Sequence, residues 1–310
     1  MTQQSAAPVA STQQAQVPAK TKKVDVLKGI LNAPSVVEQF QNALAKNAPT
    51  FIASVIDLYN GDSKLQLCDP KAVVMEALKA AVLKLPINKA LGYAYIIPFN
   101  NSKKDERGNW IKVMEPTFQM GYKGYIQLAM RTGQYRTLNA DMVYDGELRK
   151  VNKLTGEIAF DGEKVSDKMI GYFCYFELLN GFSKTLYMTV EQMAAHAKRY
   201  SKGLKSETTV ESLMNLANLP VAADSKTVGW MGNFHGMALK TVIRILLSKY
   251  GYLSIEMQQA FGDDIQGDTR DELIQEHGNS QAMDITSVKY EDVTESPEAP
   301  AGDVEPDPGY

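Results

Sequence analysis

The spacing of hydrophobic positions changes period several times along the chain, and each change marks an element. Val36, Val37, Phe40 and Leu44 recur at helical spacing after Ser35, a capping residue type, so a helix is expected over 35–44. Pro49 opens a second helix through Phe51, Val55, Ile56 and Tyr59, with Gly61 as its stop. Asp69-Pro70 is a cap followed by proline at the first helical position, and Val73, Val74, Ala77, Leu78, Ala81 and Leu85 succeed it as a core face. The period then shortens. Residues 92–99, GYAYIIPF, read as a strand that stops or lies at an edge near Pro98. A polar turn over 100–109 carries Lys103, Lys104 and Arg107, and 110–114 is the return strand with Lys112 on it.

Residues 115–144 are the stretch around which the other elements are arranged. A short strand over 116–120 turns at Gly121 into a helix over 122–132, Gly133 stops it, and 134–143 is the next strand. Tyr122, Tyr125, Ile126, Ala129 and Met130 form the expected core face, and Lys123, Gln127 and Arg131 a polar, basic stripe. Gly121 and Gly124 leave the helix start bare in this reading, open to an anion at its N–H groups. Further strands are expected over 135–143, 157–161, 169–179 and 184–188, with turns at Gly156, Gly162 and Asn180-Gly181. Residues 169–179 are apolar on both faces, which marks a central strand.

Thr189-x-x-Gln192 is a capping box, and its helix buries Val190, Met193, Ala194 and Ala197. The helix ends in a basic run, Lys198, Arg199, Lys202 and Lys205, interrupted by Tyr200. Such cations suit a helix C-terminus in any protein and equally suit a phosphate. Residues 206–228 give a short helix and a loop. A long helix from about 229 buries Met231, Phe234, Ala238, Val242, Ile245 and Leu246 and sets Asn233, Lys240 and Arg244 on the opposite side. A last short helix spans 254–262.

Charge refines this picture. The chain of 310 residues has a net charge of −3, but the charge is unevenly distributed. Residues 263–310 hold fourteen acidic and two basic residues, a net −12, and 33–262 are left at +6. Residues 1–24 are rich in Gln, Ala, Ser, Thr and Pro, too polar to offset chain entropy, so 1–32 is assigned as a disordered N-terminal segment. The acidic, Pro-rich residues 263–310 form a C-terminal tail for partner binding or regulation, with 284–293 as one interaction segment.

No run of 18 apolar residues is present, and without a charged n-region and apolar h-region the N-terminus is not expected to be a secretory signal. Cys68 and Cys174 have no metal spacing and suit a reducing compartment, so the cytoplasm is expected. No G-x-x-x-x-G-K-[ST] occurs, and His196, His235 and His277 are scattered, so no cofactor is expected. Asp141, Asp145 and Glu147 form the one acidic constellation that a metal-dependent nuclease would use, and they equally suit solvated turns.

Residues 116–135, PTFQMGYKGYIQLAMRTGQY, resemble the signature of the RecT family of phage recombination proteins. Residues 229–250, GWMGNFHGMALKTVIRILLSKY, resemble its late helix with a Met-x-x-Lys-x-x-x-Arg pattern. The resemblance covers 33–262 and implies an α+β fold, a small antiparallel sheet flanked by helices. It implies ATP-independent annealing of single-stranded DNA by a non-catalytic protein that oligomerises in rings or helical filaments. The implied partners are single-stranded DNA, the annealed duplex intermediate, a phage exonuclease and the host single-strand-binding protein.

Annealing needs two phosphate backbones held together with their bases free, so the contacts should be cations on phosphate. Lys112, Lys123, Arg131, Arg136, Lys198, Arg199, Lys202, Lys205, Lys240 and Arg244 are the phosphate candidates. Gln119 and Asn233 are polar candidates, and Phe118 and Tyr122 are stacking candidates. The basic tip over 100–109 suits a reach over DNA or a neighbouring subunit, or an ordinary soluble loop. Two other function classes stay open: the nuclease, and a polymerising structural protein without nucleic acid.

Overall fold

The computed structural model describes residues 23–268, apart from 153, 202 and 220–228. The helices at the start form a layer. α1 (Lys23–Leu31) begins inside the segment expected to be disordered. Val24, Leu27, Ile30 and Leu31 share one helical face, and Leu27 and Leu31 are fully buried against the core. The polar run before it masks that short apolar period. α2 (Pro34–Leu44) starts with Pro34 in its first turn and no side-chain cap, so Ser35 is not the N-cap. α3 (Ala48–Gly61) and α4 (Pro70–Val82) come next, and Asp69 caps α4 by accepting from the N–H groups of Lys71 and Ala72.

β1 (Ala94–Lys104) and β2 (Trp110–Met120) form one antiparallel hairpin, in register from Ala94 opposite Met120 to Lys104 opposite Trp110. The expected strands 110–114 and 116–120 are therefore a single strand. Pro116 does not break it, because Pro116 lies opposite Pro98 and β2 is an edge strand. α5 (Tyr122–Arg131) is next. Its buried face is Tyr125, Leu128 and Ala129, whereas Met130 is 63% exposed, so the core face is rotated from the expected one.

β3 (Tyr135–Tyr144), the short ribbon β4 (Lys150–Val151) and β5 (Ile158–Ala159), then β6 (Met169–Leu178) and β7 (Ser183–Thr189) complete the strands. β6 lies between β3 and β7 in an antiparallel three-stranded sheet, as its two apolar faces predict. Tyr172, Cys174 and Phe176 point from β6 into the core, where burial pushes the Cys174 thiol up to about 12.

α6 (Val190–Tyr200) carries the predicted capping box and buries the predicted Val190, Met193, Ala194 and Ala197. α7 (Val210–Ala217), α8 (Phe234–Tyr250) and α9 (Ile255–Asp268) close the fold. α8 packs against α5, α7, β3, β6 and β7. A helix enclosed on so many sides has no open far face. Ile243 and Leu247 are buried as well as Val242 and Leu246, and Lys240 is only 7% exposed, so the basic stripe expected along α8 is not a surface. The fold is α+β with small antiparallel sheets and flanking helices. The predicted tail segment 284–293 lies outside the described residues.

Candidate nucleic-acid interface

The β1–β2 hairpin leaves the body as an arm. Its inner half is packed, with Ala94, Ile96, Phe118 and Met120 buried. The N–H of Phe118 donates to the Glu76 carboxylate on α4 at 2.7 Å, which satisfies a donor there. Beyond this anchor every residue of 100–104 and 110–112 is exposed. Side chains alternate along a strand, so the register fixes two different faces on the arm. On one, Lys103 is ion-paired with Glu115, and Asn101 donates to the same carboxylate at 2.8 Å. On the other, Lys104 lies opposite Trp110 and Ser102 opposite Lys112. The Lys104 ammonium stands 5.3 Å from the centre of the Trp110 ring, which is 70% exposed. This face presents cation, aromatic and cation in a row, the composition used to hold a single strand by phosphate contact and base stacking. Lys112 is among the expected site residues and Trp110 is not. The signal is present as Trp110-x-Lys112, an alternation that keeps an indole and an ammonium on one side.

The start of α5 is closed rather than bare. A Cβ on Gly121 would lie 2.1 Å from the Gly92 carbonyl oxygen, and one on Gly124 would lie 2.3 Å from that of Tyr93. The chain entering β1 occupies the space that the two glycines open, and the Gly121 N–H donates to the Tyr93 carbonyl at 3.0 Å. The glycines therefore permit a backbone contact, not a phosphate site. Lys123 projects from this junction with its stem beside Gly92 and remains exposed. Tyr122 is half-buried, and Tyr95 nearby has its hydroxyl pKa raised by burial, with Tyr122 adding to the effect.

Several other candidates carry the fold. Phe118 is 1% exposed and presents no ring face to a base, and Gln119 is 8% exposed. Asn233 caps α8 by accepting from the Gly236 N–H at 2.8 Å. Arg136 pairs with Glu177 across β3 and β6 at 2.7 Å. Lys198 donates to the carbonyls of Lys205 and Ser206 at 3.3 and 2.7 Å, closing the loop after α6. Arg199 stacks near Tyr200, and Lys205 is exposed with Glu207 at 3.7 Å. Arg244 is half-buried on α8, and Lys202 lies outside the described residues.

Arg131 donates to the Leu83 and Lys84 carbonyls at 2.7 and 2.9 Å and so ties α5 to the end of α4. Burial lowers its pKa from the ordinary guanidinium value, with nearby Glu256 opposing that shift. Arg131→Ala strands two carbonyls, so unfolding in urea should show a loss of about 1–3 kcal/mol. The salt dependence of DNA binding should stay as in the parent, and a lower slope with normal stability would reassign Arg131 to phosphate.

Each acid of the constellation accepts a local hydrogen bond. Glu147 accepts from the Tyr144 N–H at 2.7 Å, Asp145 from the Ser166 hydroxyl at 3.3 Å and Asp141 from the Met142 N–H at 2.8 Å. Among the described residues no three His, Cys, Asp or Glu side chains are placed to hold a metal.

The model of the RecT family matches residues 49–277, from the first turn of α3 to beyond α9. The chain belongs to the RecT family. A relative described as uncharacterized protein YqaK of Bacillus subtilis (strain 168) is 41% identical over 274 residues, 88% of this chain and 84% of that protein. Protein RecT of Escherichia coli (strain K12) is 28% identical over 269 residues, 82% of this chain and 85% of its own length. RecT family membership supports a single-strand annealing recombination protein. The arm, the α4–β2 anchor and the closed start of α5 all fall within the matched residues. Among the described residues no helix is long and apolar enough to cross a membrane.

Proposed function

We propose that this chain binds and anneals single-stranded DNA in phage homologous recombination, without ATP, as an oligomer assembled on the strand. The observation that carries the reading is the Lys104–Trp110–Lys112 face of the arm in a chain of the RecT family. Lys112, Lys123, Arg199 and Lys205 are the phosphate contacts of this reading, joined by Lys104, and Trp110 is its stacking residue. Cations on the sugar–phosphate backbone lower the repulsion between two strands and carry no sequence code, which leaves base edges free to pair. Few such cations lie on one subunit, so tight binding comes from many subunits acting together on one strand. A phage exonuclease that exposes the strands and a host single-strand-binding protein are the partners this reaction needs.

Complementary oligonucleotides added in sequence, one carrying a fluorophore and one a quencher, should anneal faster with the protein than alone. ATP and its non-hydrolysable analogues should leave that rate unchanged. Magnesium-dependent loss of the DNA would instead select the nuclease, and indifference to single strands would select a structural polymer.

A further inference from the structure

The three-stranded sheet buries one face and leaves part of the other unoccupied. Phe173, Tyr175 and Tyr187 point away from the helices, opposite the side of Tyr172, Cys174 and Phe176. The β4–β5 ribbon lies over one end of this outer face. Phe160, just after β5, packs on Phe173 with ring centres 4.7 Å apart and on Tyr187 at 5.9 Å. Beside that lid an open cleft of about 410 Å³ remains, with Phe173 and Tyr175 among its lining residues. Its volume lies in the range of small-molecule sites, about 300–1,000 Å³.

Polar groups surround the cleft. Thr137 and Asn139 on β3, Tyr175 on β6, and Ser183 and Thr185 on β7 line it. Among the described residues, none of these five side chains makes a hydrogen bond to the protein. Lys184 leaves β7 on the helix side, opposite Phe176, and its ammonium reaches the margin of the cleft, 3.9 Å from where a Cβ on Gly156 would stand and 5.7 Å from the Tyr250 ring centre. Glu157 places one carboxylate on the side of the ribbon. A ligand matched to this set has a flat π face, mixed donors and acceptors on its edge, and a negative charge one bond system away.

We propose that the cleft takes one unstacked nucleobase of a bound DNA strand, with its phosphate toward Lys184. The base lies on Tyr175, and the amide of Asn139 and the hydroxyls around it meet its edge. An amide and hydroxyls both donate and accept, so the cleft accepts any base. Parking one base out of the stack would fix the strand's register on the subunit while its neighbours stay free to pair. This proposal rests on the single-strand binding reading above and adds a second kind of contact, distinct from the cations of the arm.

The test is photocrosslinking of an oligothymidylate that carries 5-iodouracil in place of one thymine, with peptide mapping of the full chain. The crosslink should fall on Tyr175 or Phe173. Tyr175→Ala should lose it and bind oligothymidylate about ten-fold more weakly, while Tyr175→Phe keeps both. Asn139→Ala, at an exposed position that spares the core, should weaken binding several-fold at unchanged melting temperature. Lys184→Ala should lower the log–log salt slope by about 0.7, whereas Tyr175→Ala should not. Normal DNA affinity in both Tyr175→Ala and Asn139→Ala, or crosslinks confined to the arm, would overturn the cleft and leave the annealing function standing. A parent protein that ignores oligothymidylate would overturn both.

Discussion

Trp110→Ala should lower affinity for single-stranded DNA about ten- to hundred-fold without changing the melting temperature. The ring is 70% exposed and stands beside the Lys104 ammonium, so removing it leaves no cavity. Stacking of one base on an aromatic side chain contributes about 1–3 kcal/mol, and each 1.4 kcal/mol is about a factor of ten. The neighbouring cations act through a different variable. Lys104→Ala with Lys112→Ala should reduce the log–log dependence of binding on salt by about 1.4, because about 0.7 is lost for each phosphate contact on a single strand. Lys103→Ala is the internal control: its ammonium is held by Glu115 on the other face. Fluorescence anisotropy across a salt series separates these effects. Parent-like affinity in Trp110→Ala would mean that the arm does not touch DNA.

Gly124→Ala should destabilise the fold by about 3 kcal/mol or more, with a melting temperature lower by roughly 6–12 °C. The added methyl carbon meets the Tyr93 carbonyl oxygen at 2.3 Å, and backbone on both sides cannot rotate away as a side chain would. Gly121→Ala meets the Gly92 oxygen at 2.1 Å and should behave alike. Gly29→Ala, in α1 with nothing within 4 Å of the new atom, should be neutral or stabilising by up to about 1 kcal/mol. Calorimetry of the three variants distinguishes a packing role from a phosphate role. If Gly124→Ala melted like the parent and lost only DNA binding, the glycines would belong to an anion site after all.

Local signals are legible in the sequence where they involve residues close in the chain. The Asp69-Pro70 start, the Thr189–Gln192 box and the stop at Gly133 rest on contacts within a few residues, and all three are present. The central place of β6 is legible because a strand buried on both faces must be apolar on both. Long-range enclosure is not legible. Lys240 has the same helical spacing whether its side of α8 faces water or α5 and the sheet, and only the packing of distant segments decides. Arg131 looks like a surface cation until Leu83 and Lys84 supply carbonyls from nearly fifty residues away. The glycines at 121 and 124 point to a close approach, but the sequence does not say what approaches. Trp110 does not stand out because an isolated tryptophan in a strand is most often core, and the polar residues 100–104 make the hairpin look shorter than it is.

The pairing of Pro98 with Pro116 bears on the outer edges of the arm. Hydrogen-bonded pairs alternate along an antiparallel ribbon, and this rung is one whose amides point outward, as that of Phe118 does toward Glu76. The prolines therefore break no bond between β1 and β2, and they leave no outward N–H on either edge at this rung. Six residues separate Pro98 from Lys104, which sets the Trp110 end about 20 Å beyond the rung at about 3.3 Å per residue. The two opposed prolines thus guard both margins of the ribbon at mid-length against the addition of a further strand.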